Sequence, residues 1–225
     1  LDIGCGSGMM SLAARRLGAK VISFDYDKKS VICTLRLKER FLPFDENWII
    51  EEGSVLDENY LKKLGKFDFV YSWGVLHHTG EMYKSLKNVL ITLDPECGNL
   101  AIAIYNDQGF KTKIWKFFKK QYNHSHLNSL LIKILFIPFF IIQNIIFGIL
   151  VHKNPFWNFI NYKKTRGMSI YFDWLDWLGG YPFEVAKPED IFNFYNSKGL
   201  KLKSLTTTNT LGCNEFLFTY GDLHK

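Results

Sequence analysis

Apolar and polar positions along this chain follow two regimes. Over residues 1–106, short apolar runs alternate with longer amphipathic stretches. Leu1-Asp2-Ile3 reads as the tail of a buried strand, and MMSLAARRLG after it reads as a helix. Val21, Ile22 and Phe24 form a second buried run that closes on Asp25, ahead of the helical KKSVICTLRLKERF. NWIIEEG (47–53) is a third strand, followed by SVLDENYLKKLGKF. Phe67, Phe69, Val70 and Tyr71 read as a buried fourth strand. In EMYKSLKNVLITLD, Met82, Leu86, Val89, Leu90 and Leu93 recur at helical spacing, which predicts one helix over 81–94. LAIAIYND then supplies a fifth strand. Strand and helix in regular alternation predict an α/β protein, a doubly wound and mostly parallel sheet with helices on both faces.

The rhythm stops over 107–187 and resumes at 188–225. PEDIFNFYNSKG has Pro188 at a helix start and Gly199 past its end. LKLKSLTTT and NEFLFTYG follow as two strands. The middle stretch is therefore an insertion after the fifth strand, at the edge of the sheet where ligands bind, and is expected to act as a lid that contacts substrate. Residues 1–106 are taken as the cofactor-binding half, 107–187 as the insertion, and 188–225 as the part that completes the domain. Leu127–Val151 is very apolar but interrupted by Lys133, Pro138, Gln143 and Asn144. Three readings stay open for it: a buried helical hairpin bent at Pro138, a helix lying in a membrane interface, or a membrane span. Residues 165–190 are dense in aromatics and acids, and Gly179, Gly180 and Pro182 imply a turn there rather than a helix. Such aromatics either wall a small-molecule pocket or pack the lid.

The chemistry concentrates at the first turn. Gly4, Gly6 and Gly8 follow the first strand and precede the first helix, an arrangement that brings a ligand close to the backbone. A GxGxxG dinucleotide fingerprint would need glycine where Met9 stands, which argues against a nicotinamide-dependent reductase. Asp25 ends the second strand, where a carboxylate accepts from ribose hydroxyls; Asp27 fits better as a helix cap.

The run Asp2-x-Gly4-x-Gly6-x-Gly8 resembles the first motif of the class I S-adenosylmethionine-dependent methyltransferases, E/D-x-G-x-G-x-G. Phe67-Asp68-x-Val70 followed by Val75-Leu76-His77-His78 is similar to the F-D-x-V-x-x-x-x-V-L-H-H run of that family's small-molecule enzymes. RGMS, DWLGGYPFE and LGCNEF resemble a bacterial subgroup of the same family. The resemblance implies a seven-stranded Rossmann-like sheet whose last two strands close it as an antiparallel pair. It implies S-adenosyl-L-methionine as cofactor, held by Gly4, Gly6 and Gly8, with Asp2 orienting the turn or the amino-acid moiety and Asp25 on the ribose. Asp57 matches an acid that contacts adenine, although it serves equally well as a helix cap, and Ser54 stands where a further acid often lies. Ser72 and Trp73 would line the methionine part.

An acceptor hydroxyl needs a base, for which His77, His78, Asp173 and Glu184 are candidates; tandem histidines point apart, so at most one faces the methyl group. No metal-ligand set is evident. The expected activity is methyl transfer to a small or lipid-like acceptor. The alternatives are a membrane-associated cofactor-binding module without catalysis and, behind it, the reductase.

Charge and cysteines add little. The net charge is +6, but no nucleic-acid signature accompanies it, and KTKIWKFFKK reads as a solvated helix face. Nucleic acid is not an expected partner. A small-molecule or lipid-linked acceptor is, with peripheral membrane contact through 127–151. Four dispersed cysteines suit a reducing cytoplasm. The chain starts inside a strand without Met, so an N-terminal truncation is expected.

Overall fold

The computed structural model describes residues 1–220. In chain order its elements are β1 (Asp2–Ile3), α1 (Met9–Arg16), β2 (Val21–Asp25), α2 (Lys28–Phe41), β3 (Trp48–Glu52), α3 (Glu58–Leu64), β4 (Phe69–Trp73), α4 (Met82–Asn88), β5 (Asn99–Tyr105), α5 (Phe110–Tyr122), α6 (His126–His152), α7 (Trp157–Arg166), α8 (Ile170–Gly179), α9 (Pro188–Asn196), β6 (Lys201–Thr206) and β7 (Cys213–Thr219). They fall into two compact units. One comprises Leu1–Gln108 with the residues from Glu184 onward, and the other is Gly109–Phe183.

The first unit is built on a seven-stranded sheet of order β3-β2-β1-β4-β5-β7-β6. β1 to β5 pair in parallel, and β7 runs antiparallel to both β5 and β6. The expected doubly wound α/β sheet with an antiparallel closing pair is thus observed. Strand order reverses between β1 and β4, whose carboxyl ends flank the crevice where such sheets bind ligands. Ile3, Phe24, Val70, Leu76, Leu86, Leu100, Ile102, Ile191, Tyr195 and Phe218 form the main core. Leu12, Val21 and Trp48 form a smaller one.

Local chemistry sets the element ends. The Asp27 carboxylate accepts from the N–H groups of Lys29 and Ser30 and so caps α2. Pro188 opens α9, and Asp190 accepts from the N–H of Lys187. Two expectations need correction. The helix expected over 81–94 ends at Asn88 and continues as a 3₁₀ turn over Val89–Ile91. β4 is not buried throughout: Phe69 and Trp73 are about half exposed (47% and 50%), whereas Val70 and Ser72 are fully buried. The strand period of two places these two sets on opposite faces.

The second unit is helical. Ile132, Phe140 and Leu178 form its core, packed by Trp115, Phe118, Tyr122, Phe136, Trp174 and Trp177. The apolar stretch is one continuous helix, α6, with Pro138 inside it, so the buried-hairpin reading is overturned. α8 runs to Gly179, and the turn expected from Gly179, Gly180 and Pro182 follows it, with a cis bond before Pro182. Lys119 departs from its solvated-face reading. It is 1% exposed, its amine donates to the carbonyl of Trp177, and it lies 3.9 Å from the Trp177 ring centroid and 4.8 Å from that of Phe183. Burial lowers its pKa to about 7.

Candidate cofactor and active site

The glycine turn is left-handed at all three positions, with φ of 75° at Gly4, 54° at Gly6 and 77° at Gly8. The three glycines are needed for different reasons. A Cβ on Gly4 would sit 2.5 Å from Val75 Cγ1, and one on Gly8 would sit 2.7 Å from Thr34 Cγ2. These two let β1 and α1 pack against neighbouring elements. Around Gly6 nothing lies within 4 Å of the Cβ position, so its missing side chain leaves the crevice open.

The turn is locked to the end of β2. Gly4 and Cys5 N–H both donate to the Phe24 carbonyl, at 2.9 and 3.1 Å. Gly6 N–H donates to Asp25 Oδ2 and Asp27 N–H donates to Asp25 Oδ1, each at 2.9 Å. Each Asp25 oxygen keeps further acceptor capacity, because a carboxylate oxygen has two lone-pair sites. From below, Thr34 Oγ1 donates to the Gly6 carbonyl at 3.1 Å. Burial pushes the Cys5 thiol up to about 11, so it is protonated and unreactive in the turn.

Asp2 lies beneath this surface. It is 6% exposed and its Oδ2 accepts from Ser11 Oγ at 2.5 Å. Ser11 bonds Ser23, whose hydroxyl accepts from Trp48 Nε1 at 2.8 Å. Burial raises the Asp2 carboxyl above its ordinary value. The motif acid therefore ties α1, β2 and β3 together and acts on the turn from behind. This geometry suits the turn-orienting alternative and not direct contact with an amino-acid moiety.

Ser72 is corrected outright. It is fully buried and its hydroxyl donates to the Ile3 carbonyl at 3.1 Å, so it joins β4 to β1 and lines no surface. Trp73 is exposed at the carboxyl end of β4. Asp57 caps α3, its Oδ1 accepting from Asn59 and Tyr60 N–H at 2.9 and 3.0 Å. Gly53, beside it, is required by Tyr60, whose ring would lie 2.3 Å from a Cβ there. Tyr60 in turn donates to Glu51 Oε2 at 2.9 Å and packs edge-on against Phe24.

Leu76, His77 and His78 form a 3₁₀ turn after β4. His77 is completely buried, and Tyr105 N–H donates to its Nδ1 at 3.4 Å. Its ring centroid lies 4.1 Å from that of Tyr105, with the planes tilted by 44°. A base without access to the crevice cannot meet a substrate, so His77 is corrected from catalytic candidate to a group that positions its neighbours. His78 is half-buried, edge-on to Tyr105.

Glu184 reaches the same place from far along the chain. Its N–H donates to the His77 carbonyl at 3.0 Å, and its Oε2 accepts from Met82 N–H at 3.0 Å, at the start of α4. Asp173 belongs to the helical unit, where it accepts from Tyr162 and faces Arg166 at 3.7 Å. Thr34, Ser11, Tyr60 and Tyr105 were missed by sequence reasoning. Each sits inside an ordinary helix or strand pattern that gives no local sign of its contacts with Gly6, Asp2, Glu51 or His77.

Comparisons with known proteins agree with this geometry. Residues 1–98 match a family described as a methyltransferase domain. The ubiquinone biosynthesis O-methyltransferase of Pelagibacter ubique is 31% identical over 83 residues, covering 36% of this chain and 32% of that protein. The ribosomal protein L11 methyltransferase of Campylobacter fetus is 35% identical over 71 residues, covering 31% of this chain and 23% of that protein. The chain thus spans about a third or less of these curated relatives. Among solved structures, magnesium protoporphyrin IX methyltransferase from Synechocystis with bound SAH aligns at a TM-score of 0.55 and 16% identity, covering 98% of this chain and 73% of that one. PKMT2 from Rickettsia typhi aligns at 0.62 and 16%, covering 96% and 48%. Residues 1–98 thus resemble a methyltransferase domain, and the chain shares the fold of the solved methyltransferases with which it aligns.

Proposed function

We propose that the protein transfers a methyl group from S-adenosyl-L-methionine to a small or lipid-like acceptor. The observation that carries this reading is the left-handed glycine turn, open at Gly6 and clamped to Asp25 at the reversal of strand order. The residues present fit that cofactor. The Gly6 backbone admits it closely, Asp25 has lone pairs left for ribose hydroxyls, and Asp57 Oδ2 is not used by the α3 cap. The sulfonium supplies an already activated methyl group, so the protein's main work is to hold the acceptor in line with it; such positioning is worth about 7–11 kcal/mol.

For a hydroxyl acceptor the proton must leave as the new O–CH₃ bond forms. His78 is the group assigned to take it, because it stands at the crevice end of β4 and is not sealed in the core. Glu184 and His77 hold the loop that carries His78. Within the helical unit, Tyr171, Phe172 and Tyr181 are exposed aromatics. A cytoplasmic site of action is consistent with free thiols at Cys5, Cys33, Cys97 and Cys213.

The test is incubation of the protein with methyl-labelled cofactor and separate extracts of soluble metabolites, lipids, proteins and nucleic acids. Label in a small-molecule or lipid product supports the reading. Label confined to nucleic acid or protein, or no transfer, contradicts it.

A further inference from the structure

The helical unit exposes a long apolar face and holds all of the chain's excess positive charge. α6 has 27 residues, about 40 Å at 1.5 Å per residue. Leu127, Leu130, Leu131, Ile134, Leu135 and Phe139 are exposed along its first half, and Ile142, Ile146, Ile149 and Leu150 carry the same three-to-four-residue rhythm to its end. The opposite stripe, Ile132, Phe136 and Phe140, packs on Trp115, Phe118, Tyr122 and Trp174. The exposed stripe is continuous and includes no charged residue. A soluble monomer rarely leaves so large an apolar face uncovered.

Charge says what covers it. Residues 109–183 hold ten lysines and arginines against two aspartates and no glutamate, a net +8, whereas the whole chain is +6. The remainder of the chain is therefore net negative, at −2. Lys111, Lys113, Lys116 and Lys120 are exposed on α5, and Lys153, Lys163, Lys164 and Arg166 are exposed at the end of α6 and on α7. An apolar helix flanked by lysines fits a surface that is apolar inside and anionic outside.

We propose that this unit docks on an anionic phospholipid bilayer, with α6 lying in the plane of the interface. A transmembrane placement conflicts with the packing. Ile132, Phe136 and Phe140 pack within the helical unit, Lys133 rests 5.4 Å from the Tyr122 ring, and Asn158 donates to Asn144 Oδ1 at 3.0 Å. Spanning would either strip off those partners or draw the lysines of α5 and α7 into hydrocarbon. In the interface plane, the apolar stripe enters the acyl boundary while the lysines stay at the headgroups.

The inference does not require methyl transfer, and the two fail separately. Vesicle flotation is measured without cofactor, and cofactor binding is measured by calorimetry without lipid. The protein should float with vesicles of phosphatidylcholine mixed with phosphatidylglycerol, less with phosphatidylcholine alone, and less as sodium chloride rises. Ile134→Gln, Ile142→Gln and Leu150→Gln combined should lower partitioning at least about tenfold, with cofactor affinity and helical circular dichroism unchanged. Lys111→Gln, Lys116→Gln and Lys120→Gln combined should lower it by about fivefold per lysine on anionic vesicles only. No flotation at low salt would overturn the proposal, as would flotation indifferent to phosphatidylglycerol. A dimer in light scattering that the triple glutamine variant dissociates would assign the stripe to a second copy and overturn it too.

Discussion

Replacing Gly6 and Gly4 separately by alanine asks whether the glycine turn exists for a ligand or for packing. Gly6 has a φ of 54° and open space around its Cβ position. Alanine there meets only the left-handed backbone penalty, about 1–2 kcal/mol, yet its methyl group enters the crevice. Gly4 has a φ of 75°, and its Cβ would lie 2.5 Å from two Val75 methyl carbons. Overpacking adds about 1–3 kcal/mol to the same backbone penalty, for a total of about 2–5 kcal/mol. Urea denaturation and calorimetric titration with S-adenosylmethionine separate the two effects. Gly6→Ala should remain folded and lose at least about tenfold in affinity, or about 1.4 kcal/mol. Gly4→Ala should lose mainly stability. Unchanged affinity in Gly6→Ala would refute the claim that the cofactor lies over this turn.

Ser72→Ala removes the bond to the Ile3 carbonyl; it should cost about 1 kcal/mol in denaturation and leave cofactor affinity unchanged, whereas a large affinity loss would return Ser72 to the binding surface. Lys119→Met tests the buried amine. Its folded pKa is about 7 against 10.5 unfolded, so between those values the unfolded chain holds a proton that the folded chain has released. Stability should therefore rise with pH across that window, by about 1.4 kcal/mol per unit at most, and not change below it on this account. The methionine variant should lose that rise; identical pH profiles for the two proteins would show that the amine is not buried as described. His78→Gln should lower turnover on a hydroxyl acceptor by about 10²–10⁴-fold while cofactor affinity holds; full turnover would remove it as the base.

Much of the frame was legible because it depends on local pattern. Apolar runs of strand length ending in Gly4 or Asp25, and helices opening at Asp27 and Pro188, show themselves within a few residues. The roles inside that frame were harder. Asp2 and Ser72 carry the residue types of a binding surface, but the strand period alone does not say which face is buried, and both turn inward. Glu184 meets Met82 across 102 positions, a closure that no local spacing announces. His77 and His78 are identical in type and adjacent, and their difference in burial, with the Tyr105 N–H on His77, appears only in the folded chain. Lys119 looked like its exposed neighbours Lys116 and Lys120 until Trp177 and Phe183 closed over it. For α6 composition was ambiguous by nature, since a buried helix and an exposed apolar one are written with the same residues.

The central claim is that the Asp25 carboxylate and the Gly6 turn together hold S-adenosylmethionine. It is tested most directly by calorimetric titration of that cofactor into the wild-type protein and into Asp25→Asn. Asparagine can still accept from one of the two N–H groups of Gly6 and Asp27 but loses the charge and one acceptor oxygen. The account predicts saturable binding to the wild type and an affinity at least about tenfold weaker in the variant. Equal affinities in the two proteins would contradict it, as would the absence of binding to a folded wild-type chain.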